Sequence, residues 1–332
     1  MMSVPYTLLM VDCRALRVAK TAACALAAFV SVAAWGAYPD KSVRLIVPSP
    51  PGGGNDIMAR LAGQKLTEAW GKQVLVDNRG GAGGAIAFEM AARAESNGYT
   101  LLLGSTNLTV LPDIQKVNYH PIKDFVPVSL MAKSMNILLV HPSVPVKSAK
   151  DLIALARARP NELNYAAAPG GLIHIAAELF NVMAGVKMVH VAYKGGGPSL
   201  TALIGGEVQL MFPTAGTVAA HLNSGRLRAL AVTSAKPSTL FPALPTIAAT
   251  GLPGYEAVSR FAVFAPARTP DAIVARLNQE IVRVLGRSDA IAKLNAAGIE
   301  PVASTAVQLT ATIKSEMATL GKVIKNAGIR VD

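Results

Sequence analysis

The sequence predicts an α/β protein of two lobes, each built on a mostly parallel sheet faced by helices, with a ligand cleft between them. Three observations carry this reading. Short apolar strands alternate with helices from Lys41 onward. Bends rich in glycine follow strands in both halves, at Ser49–Asp56 and Asn78–Gly84, then at Ala168–Gly171 and Tyr193–Ser199. A late apolar strand, Phe261–Phe264, returns after a long Pro-punctuated loop and is followed by helices. With 332 residues, 52% of them hydrophobic, the chain can bury two cores.

The first unit organises the rest. Val43–Val47 is an apolar, partly β-branched run that reads as a buried strand. Pro50 and Pro51 stiffen its exit, and Gly52, Gly53 and Gly54 allow backbone angles that other residues resist. Asn55 or Asp56 caps the next helix, whose apolar side is Ile57, Leu61 and Leu66. No side chain between Pro48 and Gly54 does acid/base or redox chemistry. The bend offers bare backbone N–H groups at a helix N-terminus, which suit an anion. Asp56 reads as a brace of its own loop, since a carboxylate would repel such a ligand.

The chain continues with a strand at Val74–Val76, a bend through Gly81–Gly84, a helix over Ala85–Glu95 and a strand at Tyr99–Leu103. The bend at Gly81–Gly84, taken alone, needs no function beyond turning the chain. Gly104-Ser105-Thr106-Asn107 then places hydroxyls beside an amide at the same sheet edge, where ligands of open α/β sheets sit. Leu111–Pro127, with three prolines, reads as irregular, and Val126–Ser134 as a return across the sheet. Strands at Ile137–Val140, Leu163–Ala167, Val186–Ala192, Val208–Phe212 and Leu227–Val232 make the second half, with helices between them. Tyr165 and Tyr193 read as partly buried residues framing the cleft. Helices over Pro270–Leu285, Ala290–Ala297 and Ala306–Ala327 form a tail that closes onto the first lobe. The resulting partition is a first lobe of residues 37–138 plus 257–332, with a second lobe, 139–256, inserted between.

Residues 1–36 read as a secretory signal peptide. Arg14, Arg17 and Lys20 precede an apolar run, Thr21–Ala34, and Ala34-Trp35-Gly36 supplies small residues for cleavage; cleavage after Ala34 and a translation start downstream of Met1 are open alternatives. The run is short for a membrane span. Both cysteines, Cys13 and Cys24, fall inside residues 1–36, so the mature chain has no thiol chemistry. Cleavage removes three cations and one anion, taking the formal net charge from +12 to +10. That charge favours an acidic partner or an anionic solute. Nucleic acid is disfavoured, because the basic residues are scattered without interleaved aromatics.

Catalytic motifs fail on inspection. His120, His141, His174, His190 and His221 lack the spacing of a zinc site. A dinucleotide fingerprint starting at Gly81 and Gly83 meets Ile86 where its third glycine belongs. No glycine-rich bend runs into Gly-Lys-Ser/Thr, and no Gly-x-Ser-x-Gly elbow exists. No cofactor or metal is expected. The alternatives that remain are a basic surface-interaction protein and an α/β enzyme without a familiar motif.

Six motifs, in order, give the mature chain a family resemblance from Tyr38 almost to its end. Tyr38-Pro39-Asp40-Lys41, Leu45-Ile46-Val47-Pro48 and Pro51-Gly52-Gly53-Gly54-x-Asp56-x-x-Ala59-Arg60 form the first. Asn78-Arg79-Gly80-Gly81-Ala82-Gly83-Gly84, His174-x-Ala176-x-Glu178-Leu179-Phe180, Tyr193-Lys194-Gly195, Ala231-Val232-Thr233-Ser234, and Pro245-Thr246 with Gly251-x-Pro253-Gly254 follow. Together they resemble the Bug-type extracytoplasmic solute receptors of tripartite tricarboxylate transporters of Gram-negative bacteria. The resemblance implies a two-lobe periplasmic binding protein-like fold of type II, a periplasmic location and no catalysis. It implies a small organic acid or carboxylated aromatic as ligand and a membrane permease as partner, with no nucleic acid and a monomeric state. The loops that grip a carboxylate in relatives map to Pro51, Gly52, Gly53 and Gly54 and to Ala168, Pro169, Gly170 and Gly171, while Ser105 and Thr106 match a loop that adds hydroxyls. Two departures stand out. The second-lobe loop lacks the usual Ser or Thr, and Arg260 stands where relatives tend to have Trp. Facing the cleft, Arg260 would supply a cation and is carried as a ligand candidate; the alternative is a hinge-side arginine.

Overall fold

The computed structural model describes residues 38–52, 54–222 and 225–330; the signal-peptide reading of residues 1–36, and Gly53, lie outside the described residues. Within the unit Ser42–Asp332, the first half runs β1 (Val43–Val47), α1 (Gly54–Trp70), β2 (Val74–Asn78), α2 (Ala85–Ala92), β3 (Thr100–Ser105), α3 (Asn107–Ile114) and β4 (Phe125–Met135). The second half follows with β5 (Ile137–Val140), α4 (Ala149–Ala158), β6 (Asn164–Ala167), α5 (Leu172–Ala184), β7 (Val189–Ala192), α6 (Gly196–Ile204), β8 (Leu210–Met211), α7 (Ala215–Leu222) and β9 (Arg228–Val232). The tail comprises β10 (Val258–Pro266), α8 (Asp271–Leu285), α9 (Ser288–Ala296), β11 (Glu300–Pro301) and α10 (Ala306–Ala327).

Two sheets result, one per lobe. The first has the order β11-β4-β10-β3-β1-β2 and the second β7-β6-β8-β5-β9. Strands linked by helices pair in parallel, β1 with β2 and β3, and β6 with β7 and β8. The strands at the crossings do not. β10 runs antiparallel to β3 and β4, and β5 antiparallel to β8 and β9. Each sheet is therefore mixed rather than mostly parallel, because β4 and β10 carry the chain out of and back into the first sheet.

Each lobe has its own core. In the first, Phe88, Tyr119, Phe125 and Phe264 form an edge-to-face chain with centroids 5.5–6.2 Å apart. In the second, Phe180 packs against Phe212 and Tyr255. Helix α10 belongs to both. Thr305 and Gln308 close a capping box at its start. Its Leu320 and Ile324 join Val110 and Ile114 of α3 and Ile175 of α5 in one buried cluster.

The segment expected to be irregular after Leu111 starts inside a helix. α3 runs through Pro112. A proline there lacks the N–H that would bond the carbonyl four residues back, and that carbonyl, on Leu108, accepts the Tyr119 hydroxyl at 3.1 Å instead. A distant tyrosine thus satisfies what proline leaves open.

The two crossings are tied by one residue. Thr233 is fully buried. Its hydroxyl accepts the Asn136 N–H at 2.8 Å and lies 2.6 Å from the Ala257 carbonyl, to which it donates. Asn136 and Ala257 sit in the two segments that leave and re-enter the first sheet. Thr233→Val keeps the shape and strands the Asn136 N–H, so it is expected to cost about 1–3 kcal/mol. Urea denaturation of the variant against the parent checks this, and an unchanged midpoint would remove Thr233 from that role.

Candidate functional site

A cavity of about 490 Å³ lies between the two sheets. From the first lobe it takes Gly52, Gly54, Asn55 and Ile57 at the start of α1, then Ser105, Thr106 and Asn107 where β3 meets α3. Ser134 of β4 and Ser259 and Phe261 of β10 form the floor, beside Ala297 and Ile299. From the second lobe come Leu172 at the head of α5 and Thr214, Gly216 and Thr217 around the start of α7. The described lining is uncharged, rich in hydroxyls and amides, with Phe261 and aliphatic side chains among them.

The bend after β1 is braced as expected for Asp56. Its carboxylate accepts the Gly52 N–H and the Arg60 Nε–H, each at 2.9 Å. Burial pushes the Asp56 pKa up, but the bonds from Arg60, Gly52 and Asn78 outweigh it and hold the group below the usual range. The Gly52 amide is consequently spent inside the loop and is not bare. Gly54 and Asn55 open α1, where the first amides have no intrahelical partner. Gly54 keeps this corner close: a Cβ would approach the Phe261 ring to 3.3 Å on the cavity floor. Pro51 is exposed and Gly53 lies outside the described residues.

Ser105 and Thr106 both reach the cavity, but they differ. Thr106 is buried, and its hydroxyl accepts the Arg260 N–H at 3.2 Å and lies 3.3 Å from the Val258 carbonyl. Ser105 is half-buried at the strand end.

In the second-lobe loop, Ala168, Pro169, Gly170 and Gly171 do not line the cavity; Leu172, directly after them, does. Gly170 has φ 67°, and its N–H donates to His174 Nδ1 at 3.1 Å. The His174 ring stacks on His190 at 3.9 Å, and His190 Nε2 lies 3.0 Å from the Ala167 carbonyl. Burial, then the neighbouring His190, lowers the His174 pKa to about 4. A neutral His174 holds this loop. Because its folded pKa lies below the unfolded value of 6.5, the unfolded chain binds more protons between them. Stability from this group is complete above 6.5 and falls as pH drops toward 4, by as much as about 3 kcal/mol. Urea midpoints from pH 7 to 4 should fall more steeply in the parent than in His174→Gln; parallel profiles would contradict the assignment.

Several readings are corrected. Arg260 does not face this cavity. Side chains alternate along β10, so Ser259 and Phe261 point to the cleft while Val258 and Arg260 line a second cavity. Arg260 pairs there with the buried Glu316, which makes it the hinge-side arginine. Tyr165 is fully buried and bonds Glu178, and Tyr193 donates to Glu207 at 3.2 Å, so neither frames the cleft. Ile57 is 43% exposed and lines the cavity rather than the helix core. Sequence reasoning missed Ser134, Ser259 and Phe261: each serine has a cation on one side, Lys133 or Arg260, so nothing local marked it as facing a cavity. It also missed Thr214, Gly216 and Thr217, whose strand–bend–helix context matched the bends that it did single out.

Among the described residues no group of His, Cys, Asp or Glu side chains could hold a metal. Two α/β lobes joined by crossing strands over one cleft define a solute-binding protein. The chain belongs to the tripartite tricarboxylate transporter receptor family, TctC, which it matches over residues 58–329. It is 36% identical to the protein BugT of Bordetella pertussis over 301 residues, 89% of this chain and 91% of that one. A structure of an R. palustris protein with adipate is 38% identical with a TM-score of 0.79, covering 89% of this chain and all of that one. The periplasmic binding protein BugD is 28% identical with a TM-score of 0.76 over 89% of this chain and all of its own. MatC of Rhodopseudomonas palustris, with bound malate, is 29% identical with a TM-score of 0.75, covering 86% of this chain and all of that one.

Proposed function

We propose that this receptor captures a small organic acid or carboxylated aromatic in the periplasm and presents it to a tripartite tricarboxylate-type membrane permease, without chemical change. The observation that carries the reading is the convergence, in one cleft, of the α1 N-terminus and the Ser105 hydroxyl from one lobe with Thr214 and Thr217 from the other. A helix N-terminus and neutral donors favour an anion without a fixed cation beside it. The adipate and malate found with its relatives support the same ligand class. In this reading the amides that open α1 at Gly54 and Asn55, with Ser105 and Thr106, hold one acid group, and Ala168–Gly171 approach when residues 139–256 close onto residues 37–138 and 257–332. Closure excludes water and strengthens those polar contacts.

A thermal-shift screen of C4–C6 dicarboxylates, aromatic carboxylates, amino acids and neutral analogues tests it, followed by calorimetry. At least one acid should bind, and its neutral amide should not. Ser105→Ala should weaken that acid by about 0.5–1.5 kcal/mol, one ordinary hydrogen bond. Equal binding of an acid and its amide would refute an anion site.

A further inference from the structure

The two lobes do not bring the same chemistry to the cleft. From the first, α1 opens with Gly54 and Asn55, whose amides have no hydrogen-bond partner among the described residues. From the second, the comparable donors are spent. At the head of α5 the Gly170 N–H goes to His174 and the Gly171 N–H to the Ala168 carbonyl, and Leu172 lines the cleft with an apolar side chain. At the start of α7, Ala215 is fully buried and the Thr217 N–H bonds the Thr214 carbonyl at 3.0 Å. Gly216, between them, packs so closely on Gly298 that a Cβ on Gly298 would lie 2.6 Å from its nitrogen. The Thr214 and Thr217 hydroxyls lie 2.7 Å apart and bond each other, which uses one of their two protons. An anion therefore finds its grip in the first lobe alone.

The floor sets where the other end of a solute lies. The Phe261 ring sits beside Gly54. Ser259, two residues back on the same face of β10, is about 7 Å further along the strand. It pairs across with Ser134 of β4, whose hydroxyl is spent on the Gly298 carbonyl at 3.1 Å. Gly298 in turn meets Gly216, so α7 walls this far end. The Ser259 hydroxyl lines the cleft and has no hydrogen-bond partner among the described residues. A second carboxylate here would face the Ala297 and Gly298 carbonyls, with no cation among the described lining residues. A hydroxyl fits, because it both donates and accepts. Once the cleft excludes water, it gives Ser259 the partner that it lacks. We propose that the solute carries one carboxylate, held by the first lobe, an apolar body over Phe261, and an uncharged hydroxyl at its far end that pairs with Ser259. This narrows, and rests on, the reading of the cleft as a carboxylate site.

Calorimetry on the receptor takes two matched sets, 6-hydroxyhexanoate with hexanoate and adipate, and 4-hydroxybenzoate with benzoate and terephthalate. Within each set the acid group and the body stay the same and only the far end changes. In at least one set the hydroxy acid should bind tightest. The unsubstituted acid should be about fivefold weaker, the size of one neutral hydrogen bond. The diacid should be about tenfold weaker or more, since its second carboxylate is desolvated without a partner. Ser259→Ala should close the gap between the hydroxy acid and its unsubstituted acid, with a melting curve as the fold control. A diacid that binds as tightly as its hydroxy acid overturns the neutral far end and leaves the carboxylate site standing. A gap that persists in Ser259→Ala overturns the part given to Ser259. If none of the six binds, this inference falls, and the wider screen of acids against their neutral amides judges the carboxylate site separately.

Discussion

Gly216→Ala is expected to weaken solute capture by about tenfold or more while the ligand-free protein stays as stable as the parent. Gly216 opens α7 in the second lobe, and a Cβ there would lie 2.3 Å from the Ala297 carbonyl oxygen of the first. Across the same contact Gly298, at φ 68°, would bring a Cβ to 2.6 Å from the Gly216 nitrogen. These are backbone-to-backbone approaches between the lobes, so no side chain can rotate away. The Gly298 turn is also fixed to β4, whose Ser134 hydroxyl donates to the Gly298 carbonyl at 3.1 Å. An added methyl at Gly216 therefore has to be relieved by moving one lobe from the other. In the isolated helix the same methyl is favourable by about 0.5–1 kcal/mol relative to glycine. The penalty falls on the arrangement in which Gly216 and Ala297 meet across the lobes beside the cleft. Melting curves with and without a bound acid separate the two effects. The ligand-free midpoint should hold or rise, and the ligand-induced shift should shrink. A variant with a normal ligand shift would show that this contact does not set the lobe spacing.

The distance between what was legible in the sequence and what was not follows the range of the interactions. β1, the bend after it and α1 are local, and Val43–Val47 with Gly52–Gly54 spelled them out. The cap of α4 is local in the same way: the Ser148 hydroxyl accepts the Asp151 N–H, three residues on, at 3.1 Å. Pro112 misled because its compensation comes from Tyr119, which no helix propensity encodes. Ile57 fits a core-facing helical pattern, and only the position of the second lobe makes it a cavity wall. Arg260 shows the limit most clearly. Alternation along β10 separates it from Phe261, but which face meets the cleft depends on the register with β3, where Phe261 pairs with Ser105. Its partner Glu316 lies 56 residues further on, and nothing local joins them. The Gly216–Gly298 approach is likewise invisible until two lobes are brought together.

The Arg260–Glu316 pair carries the largest expected effect on stability. Glu316 is almost completely buried, and its carboxyl meets Arg260, Thr106 and Thr109. Burial raises its pKa, and Arg260 and the two hydroxyls only partly oppose this. Arg260→Ala removes the strongest of those opponents and leaves a carboxylate in a desolvated site, so it should cost about 3–5 kcal/mol at neutral pH. The pH dependence has a definite sign. A carboxyl whose folded pKa is raised contributes stability that is complete below its unfolded pKa, near 4.5, and is lost as pH rises through the folded value. The deficit of Arg260→Ala relative to the parent should therefore be large at pH 7.5 and shrink toward pH 4.5. Measuring variant against parent at each pH cancels the opposite trend from His174. Replacing both members, Arg260→Met with Glu316→Met, removes the buried charges together and fills the space with apolar atoms, so it should recover most of the loss. Urea denaturation of the three proteins at the two pH values decides the matter. If Arg260→Ala unfolds with the parent at pH 7.5, or the double variant is no better than the single one, the pair is not what holds Glu316 in place beside Thr106 at the back of the cleft.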